Sequence, residues 1–408
     1  MIKKIPVSLL EPGMYVSDFN AGWLTHPFAF NSMMIASDGD VAKVLAAGIR
    51  DVYIDTDRGR NVGEAVPTAD EAQRETFRKI EQMAQQESPL VPASRVSRSE
   101  EMSHAHAAFS EATRVVHRLM DDVRFGRQFE IAATRPTVEK IVASVMRNSN
   151  AMMTMRRLKS LDDYTFLHSV NVCAMLVSFA KVLEMDLGSI HDLALGGLIH
   201  DVGKMRLAQA VLNKPGRLTE EEFIHVKSHV VLGSDLMLQA PGVPALALEV
   251  LAQHHERADG SGYPNGLKGG EISAVGKMAA IVDVYDAITS DRAYRKGISP
   301  AAAVQKLFEW SGYGFDPEMT HLFLKSVGIY PIGTLVSLES GRLGIVIEQS
   351  DSQLLTPVVR VMYDGRRQHY LVPEDVDLSR PFGAGGGDRI VGYELPEKLG
   401  IDISRFLQ

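Results

Sequence analysis

The chain of 408 residues contains a single cysteine, Cys173, which lies in an apolar stretch. One cysteine excludes an intrachain disulfide, and an apolar thiol of this kind is typical of a reducing compartment. The chain also lacks an uninterrupted apolar segment of about 18 residues, the length that a bilayer crossing needs. Its first residues do not show the pattern of a signal peptide. We therefore expect a protein of the cytoplasm that neither enters a membrane nor is secreted.

Positive charge is in the minority. Lys and Arg number 43 against 51 Asp and Glu, which gives a formal net charge of −8. Duplex nucleic acid is bound by cationic faces, so this balance argues against such a partner, although a small phosphorylated ligand stays compatible with it. Apolar residues make up 45% of the chain and charged residues 23%. This ordinary globular composition excludes wholesale disorder, a collagen-like repeat and a coiled coil.

Length and local pattern predict a multidomain chain. Residues 1–65 mix short β-rich stretches with one helical pattern, which indicates a small α+β module. Residues 66–148 form a helical and polar linker region. Residues 149–330 show helical periodicity over 161–183, 189–201, 219–238, 244–255 and 273–290, which predicts a central all-α bundle. Residues 331–408 alternate between polar and apolar residues and predict a short β-rich tail.

Histidines are the most informative residues of the bundle. Seven of the 13 histidines lie between positions 168 and 255. Among them, His200 is followed by Asp201 and His254 by His255. His200 and Asp201 open the sequence H-D-V-G-K after an apolar run. An adjacent imidazole and carboxylate bring two ligand types to one metal region, and the carboxylate can bridge two ions.

Helical periodicity places further ligand types on inward faces. His168 and His229 each share a face with apolar residues, His254 and His255 end an apolar helix, and Asp283 lies within an apolar run, where an unpaired carboxylate is costly. We expect five histidines and two aspartates to converge from five helices: His168, His200, Asp201, His229, His254, His255 and Asp283.

This nitrogen- and oxygen-rich set suits two divalent ions such as iron or manganese better than a structural zinc held by thiolates. Two ions that share a hydroxide favour hydrolysis of a phosphodiester or phosphoester. Lys204, three residues after Asp201, is expected to neutralise charge on the phosphate or the leaving group. Asp201 and Lys204 are therefore the predicted catalytic residues.

A glycine-rich loop, H-H-E-R-A-D-G-S-G-Y-P-N-G-L, follows the double histidine and should form the rim of the pocket. Its Gly262, Tyr263 and Pro264 are candidate substrate contacts. Arg292 and Arg295 are candidate contacts to phosphate oxygens. Each of these residues also has a plainer interpretation, because glycines mark turns, Tyr263 can dock a partner, and arginines are common solvated surface charges.

Taken in order, H-D-V-G-K, His229, the loop with its G-Y-P sequence, and V-D-V-Y-D-A-I-T-S-D-R-A-Y-R resemble the HD-GYP domain of the HD phosphohydrolase superfamily. The resemblance covers about residues 150–325. The first 140 residues or so resemble, less sharply, an uncharacterised module that precedes such domains in bacteria. The resemblance implies metal-dependent hydrolysis of cyclic di-GMP to the linear dinucleotide pGpG, or onward to GMP.

The same resemblance implies a division of the ligands. One ion would be held by His168, His200 and Asp283, the other by His229, His254 and His255, with Asp201 between them. Family members with a third ion use a Glu at the position of Tyr164, so two ions are expected here. Ala293 replaces a proline that is frequent in the D-R-P-Y sequence of the family.

Two other functions fit the sequence. One is a signalling scaffold whose metal site is structural and whose G-Y-P surface docks other proteins, such as cyclic di-GMP synthases. The other is a phosphohydrolase that acts on another nucleotide, such as a mixed cyclic dinucleotide. The N-terminal module would regulate the bundle or mediate self-association of the chain.

Overall fold

A computed structural model describes residues 1–408 except 22–31, 64, 86–95, 158–163, 213, 215, 217, 292–295, 351–352, 381–386 and 408. Its N-terminal part is a four-stranded antiparallel sheet in the order β1-β4-β2-β3, with one helix. The elements are β1 (Ile2–Pro6), β2 (Tyr15–Asp18), β3 (Met33–Met34), α1 (Asp38–Ala46) and β4 (Asp51–Asp55). Ser37 and Asp40 form a capping box that begins α1. Aliphatic side chains give this module a hydrophobic core of its own.

Helices make up the central part of the chain. They are α2 (Ala69–Gln85), α3 (Arg98–Arg124), α4 (Arg135–Arg147), α5 (Ser149–Arg157), α6 (Tyr164–Val182), α7 (Leu187–Ile199), α8 (Gln209–Leu212), α9 (Glu220–Lys227), α10 (His229–Gln239), α11 (Ala245–Gln253), α12 (Ala274–Thr289), α13 (Pro300–Trp310) and α14 (Pro317–Val327). Helix α6 lies at the centre, against α7, α12 and α3. It holds the one stretch of the described residues, Thr165–Val182, that is long and apolar enough to cross a membrane, but 83% of this stretch is buried inside the protein.

The continuous helix predicted over 219–238 is wrong, because α9 ends and α10 begins at Ser228. The Ser228 amide and hydroxyl both donate to the carbonyl oxygen of His225, at 3.2 and 2.6 Å. A serine whose side chain hydrogen-bonds a nearby backbone carbonyl in this way competes with the regular backbone hydrogen bonds of the helix. Residue spacing did not reveal the break, since apolar positions continue on both sides of it.

The C-terminal part is a five-stranded antiparallel sheet in the order β8-β7-β6-β5-β9. Its elements are β5 (Leu335–Leu338), β6 (Arg342–Glu348), β7 (Val358–Asp364), β8 (His369–Asp377), β9 (Ile390–Glu394) and the short helix α15 (Pro396–Leu399). The amide of Gln349, just after β6, donates to the side chain of Asn150 on α5 at 3.0 Å, which ties the sheet to the bundle.

The structure confirms the fold class: a small α+β module, a central helical bundle and a β-rich C-terminal part. One hydrophobic cluster runs from α2 through the bundle and into the C-terminal sheet. Helices from the predicted linker region thus share a core with the predicted catalytic domain. The boundaries at 65, 148 and 330 stay predictions.

Candidate metal centre

The seven predicted ligands all lie in one buried region, each no more than 5% exposed. They come from the second turn of α6 (His168), the residues just after α7 (His200, Asp201), the residues just after α11 (His254, His255), the first turn of α10 (His229) and the middle of α12 (Asp283). Helix ends dominate this list. A chain that turns at a helix end can direct a side chain into the space between helices.

The ligand atoms form two groups. Asp201, His229, His254 and His255 make one, and His168, His200 and Asp283 the other, with the atoms of each group within 4.8 Å of one another. Asp201 lies between the groups. Its Oδ1 is 3.4 Å from His229 Nε2, and its Oδ2 is 3.4 Å from His200 Nε2 and 3.7 Å from His168 Nε2. A carboxylate whose two oxygens face different ligand sets has the geometry of a bridging ligand.

Three of the imidazoles are oriented by the backbone of their own helices. In His200, His229 and His254 the Nδ1 atom lies 2.7–2.8 Å from the carbonyl oxygen three residues earlier, in Gly197, Val226 and Leu251 respectively. A carbonyl only accepts, so each Nδ1–H donates. In the neutral ring, Nε2 then carries the lone pair and faces the centre. This is the tautomer that a metal ligand requires.

His168 is oriented by a carboxylate instead. Its Nδ1 lies 2.7 Å from Asp286 Oδ2, and its Nε2 lies 3.0 Å from Asp283 Oδ1. Asp286 Oδ1 in turn accepts from Asn171 Nδ2 at 2.9 Å and from Arg156 Nε at 3.1 Å. Neither of these two donors to Asp286 was predicted from the sequence. Asn171 had a usable signal, since it follows His168 by three on one helix face, whereas Arg156 comes from a different helix.

Burial and neighbouring charge set the protonation of the site. Burial, reinforced by the Lys204 ammonium, lowers the pKa of His229 to about 4, and burial together with His200 lowers that of His254 to about 3. Burial and His254 also lower the pKa of His255 well below its ordinary value. These imidazoles are neutral near pH 7, the state in which they bind metals.

The carboxylates stay ionised although burial opposes it. Lys204 holds the pKa of Asp201 well below its usual range, and His168 does the same for Asp283. Burial lowers the pKa of His168, but its hydrogen bonds to Asp283 and Asp286 outweigh this and raise it to about 9. Around the ionised carboxylates, His229, His254 and His255 thus present neutral nitrogens, a donor set that suits divalent cations.

Several ligand atoms have no hydrogen-bond partner. Within the described ranges these include His200 Nε2, Asp201 Oδ1 and both ring nitrogens of His255, all of them buried. An unsatisfied buried polar atom is costly and rare, so a cluster of them needs a cause. Bound cations would satisfy His200 Nε2, Asp201 Oδ1 and one ring nitrogen of His255, so the residues present fit a metal site.

The G-Y-P loop closes one side of the centre. The Tyr263 ring lies 4.6 Å from the His255 ring, and the Tyr263 hydroxyl is buried without a hydrogen-bond partner among the described residues. Glu256 shapes the loop, because its two carboxylate oxygens accept from the amides of Asn265 and Leu267 at 2.8 and 2.9 Å. The sequence showed no specific signal for this role of Glu256.

The other predicted residues are placed as follows. A Cβ on Gly262 would lie 2.4 Å from the amide nitrogen of Arg257, so only glycine fits there. Pro264 is exposed next to it. Lys204 is 24% exposed, with its Nζ 2.6 Å from Asp201 Oδ2. Arg292 and Arg295 lie outside the described residues.

Lys227 is a neighbour that the sequence did not single out. Its Nζ lies 5.1 Å from the Tyr263 ring and 4.6 Å from the Phe223 ring. His225, on α9, is exposed. The mouth of the centre thus carries two ammonium groups, those of Lys204 and Lys227.

Comparison with known proteins supports this interpretation. Residues 136–319 match the family described as "HD domain", and residues 2–134 match a "Domain of unknown function (DUF3391)". The chain is 41% identical to "Cyclic di-GMP phosphodiesterase PA4108" of Pseudomonas aeruginosa, over 97% of this chain and 93% of that protein. It is 36% identical to "3'3'-cGAMP-specific phosphodiesterase 1" of Vibrio cholerae, over 37% of this chain and 35% of that protein.

Among solved structures, Bd1817, an HDG"Y"P protein from Bdellovibrio bacteriovorus, is similar with a TM-score of 0.45 and 16% identity, over 79% of this chain and 98% of that one. The identity to the Pseudomonas protein extends over nearly the full length of both chains. The HD-type ligands and the G-Y-P loop lie together in the same segment. The chain therefore belongs to the HD-GYP family of metal-dependent HD phosphohydrolases and carries a DUF3391 module before its HD domain.

Proposed function

We propose that the chain is a phosphodiesterase that hydrolyses cyclic di-GMP to pGpG, or onward to GMP, with two divalent ions, iron or manganese. One observation carries the proposal. Asp201 lies between two groups of buried ligands whose inward atoms include several without a hydrogen-bond partner. The relatives named as cyclic di-GMP phosphodiesterases in Pseudomonas aeruginosa and Thermotoga maritima support the choice of substrate.

The division of ligands follows the two groups. His168, His200 and Asp283 would hold one ion, and His229, His254 and His255 the other, with Asp201 shared. When bound, such ions supply an activated water at neutral pH and Lewis-acid stabilisation of the phosphoryl group.

Residues of the chain itself would stabilise charge on the phosphate and contact the substrate. The Lys204 ammonium holds Asp201 ionised and, being partly exposed, is available to a non-bridging phosphate oxygen. The Tyr263 hydroxyl is an unused donor beside His255. Gly262 and Pro264 keep the backbone of the loop close to the centre, and Arg292 and Arg295 stay predicted phosphate contacts.

A mixed cyclic dinucleotide is the second candidate substrate. Relatives named 3'3'-cGAMP-specific phosphodiesterases match 31 to 41% of the chain, at 30 to 36% identity. Both substrates present two phosphodiesters to the centre, so the metal site does not distinguish them. The bases would be distinguished at the rim, where Tyr263 and Lys227 lie.

The test combines metal analysis with turnover. The protein is purified anaerobically, iron and manganese are counted per chain, and hydrolysis of cyclic di-GMP and of 3'3'-cGAMP is followed by chromatography. We expect Asp201→Ala to abolish turnover and His254→Ala to lower metal content. The matched control is His225→Ala, a histidine on the exposed face, which should change neither.

Each failure has its own meaning. Bound metal without turnover of either dinucleotide would favour the scaffold function, in which the G-Y-P surface docks proteins such as cyclic di-GMP synthases. Undiminished turnover in Asp201→Ala would show that the shared ligand is misassigned. Equal metal loss in His254→Ala and His225→Ala would contradict the assignment of inward and outward faces.

A further inference from the structure

Asn20, which is 3% exposed, lies where the N-terminal module contacts the bundle. Its polar groups are directed at α13. The Asn20 carbonyl oxygen accepts from Trp310 Nε1 at 2.6 Å, its Oδ1 accepts from Lys306 Nζ at 3.1 Å, and its Nδ2 donates to Glu309 Oε2 at 3.0 Å. Asn20 adopts a left-handed conformation with φ 49°, which asparagine tolerates better than most residues.

Ion pairs surround this contact. Lys4 of β1 lies 2.9 Å from Glu309, and Lys306 lies 3.5 Å from Asp18 of β2. The Lys4 and Glu309 side chains are only 16% and 10% exposed, so solvent screens this pair less than an exposed one. The polar face of α13 is therefore matched to the module by charge as well as by hydrogen bonds.

The turn that follows α13 contacts the segment that begins the G-Y-P loop. After Trp310 the chain makes a tight turn over 311–315, in which the Gly314 carbonyl oxygen accepts from the amide of Ala258 at 3.1 Å. The Phe315 ring of the same turn lies 5.1 Å from the Arg257 guanidinium. Ala258 and Arg257 belong to the segment between the double histidine and Tyr263.

The module also reaches this region directly. The Arg50 guanidinium lies 4.9 Å from the ring of Tyr313 in the turn. A Cβ on Gly48, in the turn after α1, would lie 3.8 Å from both Asp259 and Ser261 of the loop. Two routes, one through α13 and one at the surface, therefore connect the module with the loop.

We infer that Asn20 is a positioning residue for the reaction: by anchoring the N-terminal module to α13, it holds the 311–315 turn and, through it, the G-Y-P loop beside the metal centre. The inference rests on the proposed function, because it assigns the loop a role in substrate binding. On this inference, the function of the DUF3391 module is to set the position of Tyr263 relative to His255.

The test uses the full chain with Asn20→Gly. Glycine adopts the left-handed conformation without strain, so this variant removes only the side-chain bonds to Lys306 and Glu309. Amide hydrogen exchange is measured over residues 256–267, together with kcat, KM and metal content. We expect faster exchange in this segment and a three- to tenfold rise in KM, about the effect of losing one ordinary hydrogen bond. Metal content and kcat should change little.

Two further variants sharpen the result. Trp310→Phe removes the indole N–H and keeps an aromatic ring, and it should change exchange and KM in the same direction. Arg58→Ala is the control, because Arg58 lies in the same module, where its guanidinium stacks 3.8 Å from the Tyr15 ring. It should leave the loop unchanged.

Unchanged exchange over 256–267 in both Asn20→Gly and Trp310→Phe would overturn the inference, as would an equal effect of Arg58→Ala. A rise in KM without a change in exchange would also overturn it, since the loop would then not be the route. Failure of the proposed function is distinguishable, because it would appear as an inactive wild-type protein, whereas the exchange of the loop needs no activity.

Discussion

Asp286 is the residue on which the position of His168 depends. It accepts from His168, Asn171 and Arg156 at 2.7, 2.9 and 3.1 Å and is fully buried. Arg156 is itself only 7% exposed, so the carboxylate balances a buried guanidinium while it orients an imidazole. Carboxylates behind a metal-bound histidine fix the ring and raise its basicity.

Replacing this carboxylate should weaken metal binding without removing a ligand. For Asp286→Asn we expect a 10- to 100-fold loss of metal affinity, roughly the effect of losing such a partner elsewhere. The measurement is a competition titration with a metal chelator. Asp235→Asn, at an exposed position on the helix that begins with His229, is the control and should bind metal like the wild type. Equal affinities in the two variants would show that Asp286 does not support His168.

Close approach of two backbone segments brings Asp201 to His229. The 3-10 helix Val202–Arg206 crosses α10 at Gly203 and Gly233. A Cβ on Gly203 would lie 1.9 Å from the His229 carbonyl oxygen and 2.6 Å from the Gly233 amide nitrogen. Backbone atoms cannot move aside as a flexible side chain can, so a glycine is required at this crossing.

Gly203→Ala should therefore lower stability and metal content together. We expect a loss of about 3 kcal/mol or more in the free energy of unfolding, at the upper end of overpacking effects. Gly270→Ala is the matched control, because a Cβ there would meet nothing within 4 Å, and it should change stability by less than about 0.5 kcal/mol. Chemical unfolding of both variants checks the expectation. A Gly203→Ala variant as stable as the wild type would refute it.

One hydrophobic core extends through most of the chain. Val116 and Val123 of α3, Phe179 of α6 and Val346 of β6 all belong to the same buried cluster. The N-terminal module has a separate cluster and contacts the rest through polar groups. The helices of 66–148 and the C-terminal sheet thus cover apolar surface of the predicted catalytic domain.

A fragment of residues 149–330 should not fold as the full chain does. Removal of α3, α4 and the sheet exposes apolar surface of α5 and α6, and exposed surface of this kind favours aggregation. We expect the fragment to lack the cooperative thermal transition shown by a 66–408 fragment, as measured by circular dichroism. Cooperative unfolding of 149–330 at the same temperature would instead support an independent domain with the predicted boundaries.

Local pattern located many elements to within a few residues. The predicted helices over 244–255 and 273–290 contain α11 and α12. The pattern did not predict the helix break at Ser228, where a side chain competes for backbone hydrogen bonds. It also did not predict the strand β9. Both depend on contacts that residue spacing does not record, since β9 pairs with β5, more than 50 residues earlier.

Residue types, their order and their helical faces were sufficient to identify seven candidate ligands and the family. Periodicity shows which side of a helix is buried, and a buried histidine or aspartate needs a partner, so inward ligands are readable from local sequence. The distances between helices are not. The separation of the two ligand groups, the place of Asp201 between them and the support from Arg156 arise where helices distant in sequence are packed together. Arg156 and Asp286, for example, are 130 residues apart. Helix packing, with the Gly203 crossing as one of its constraints, sets these distances.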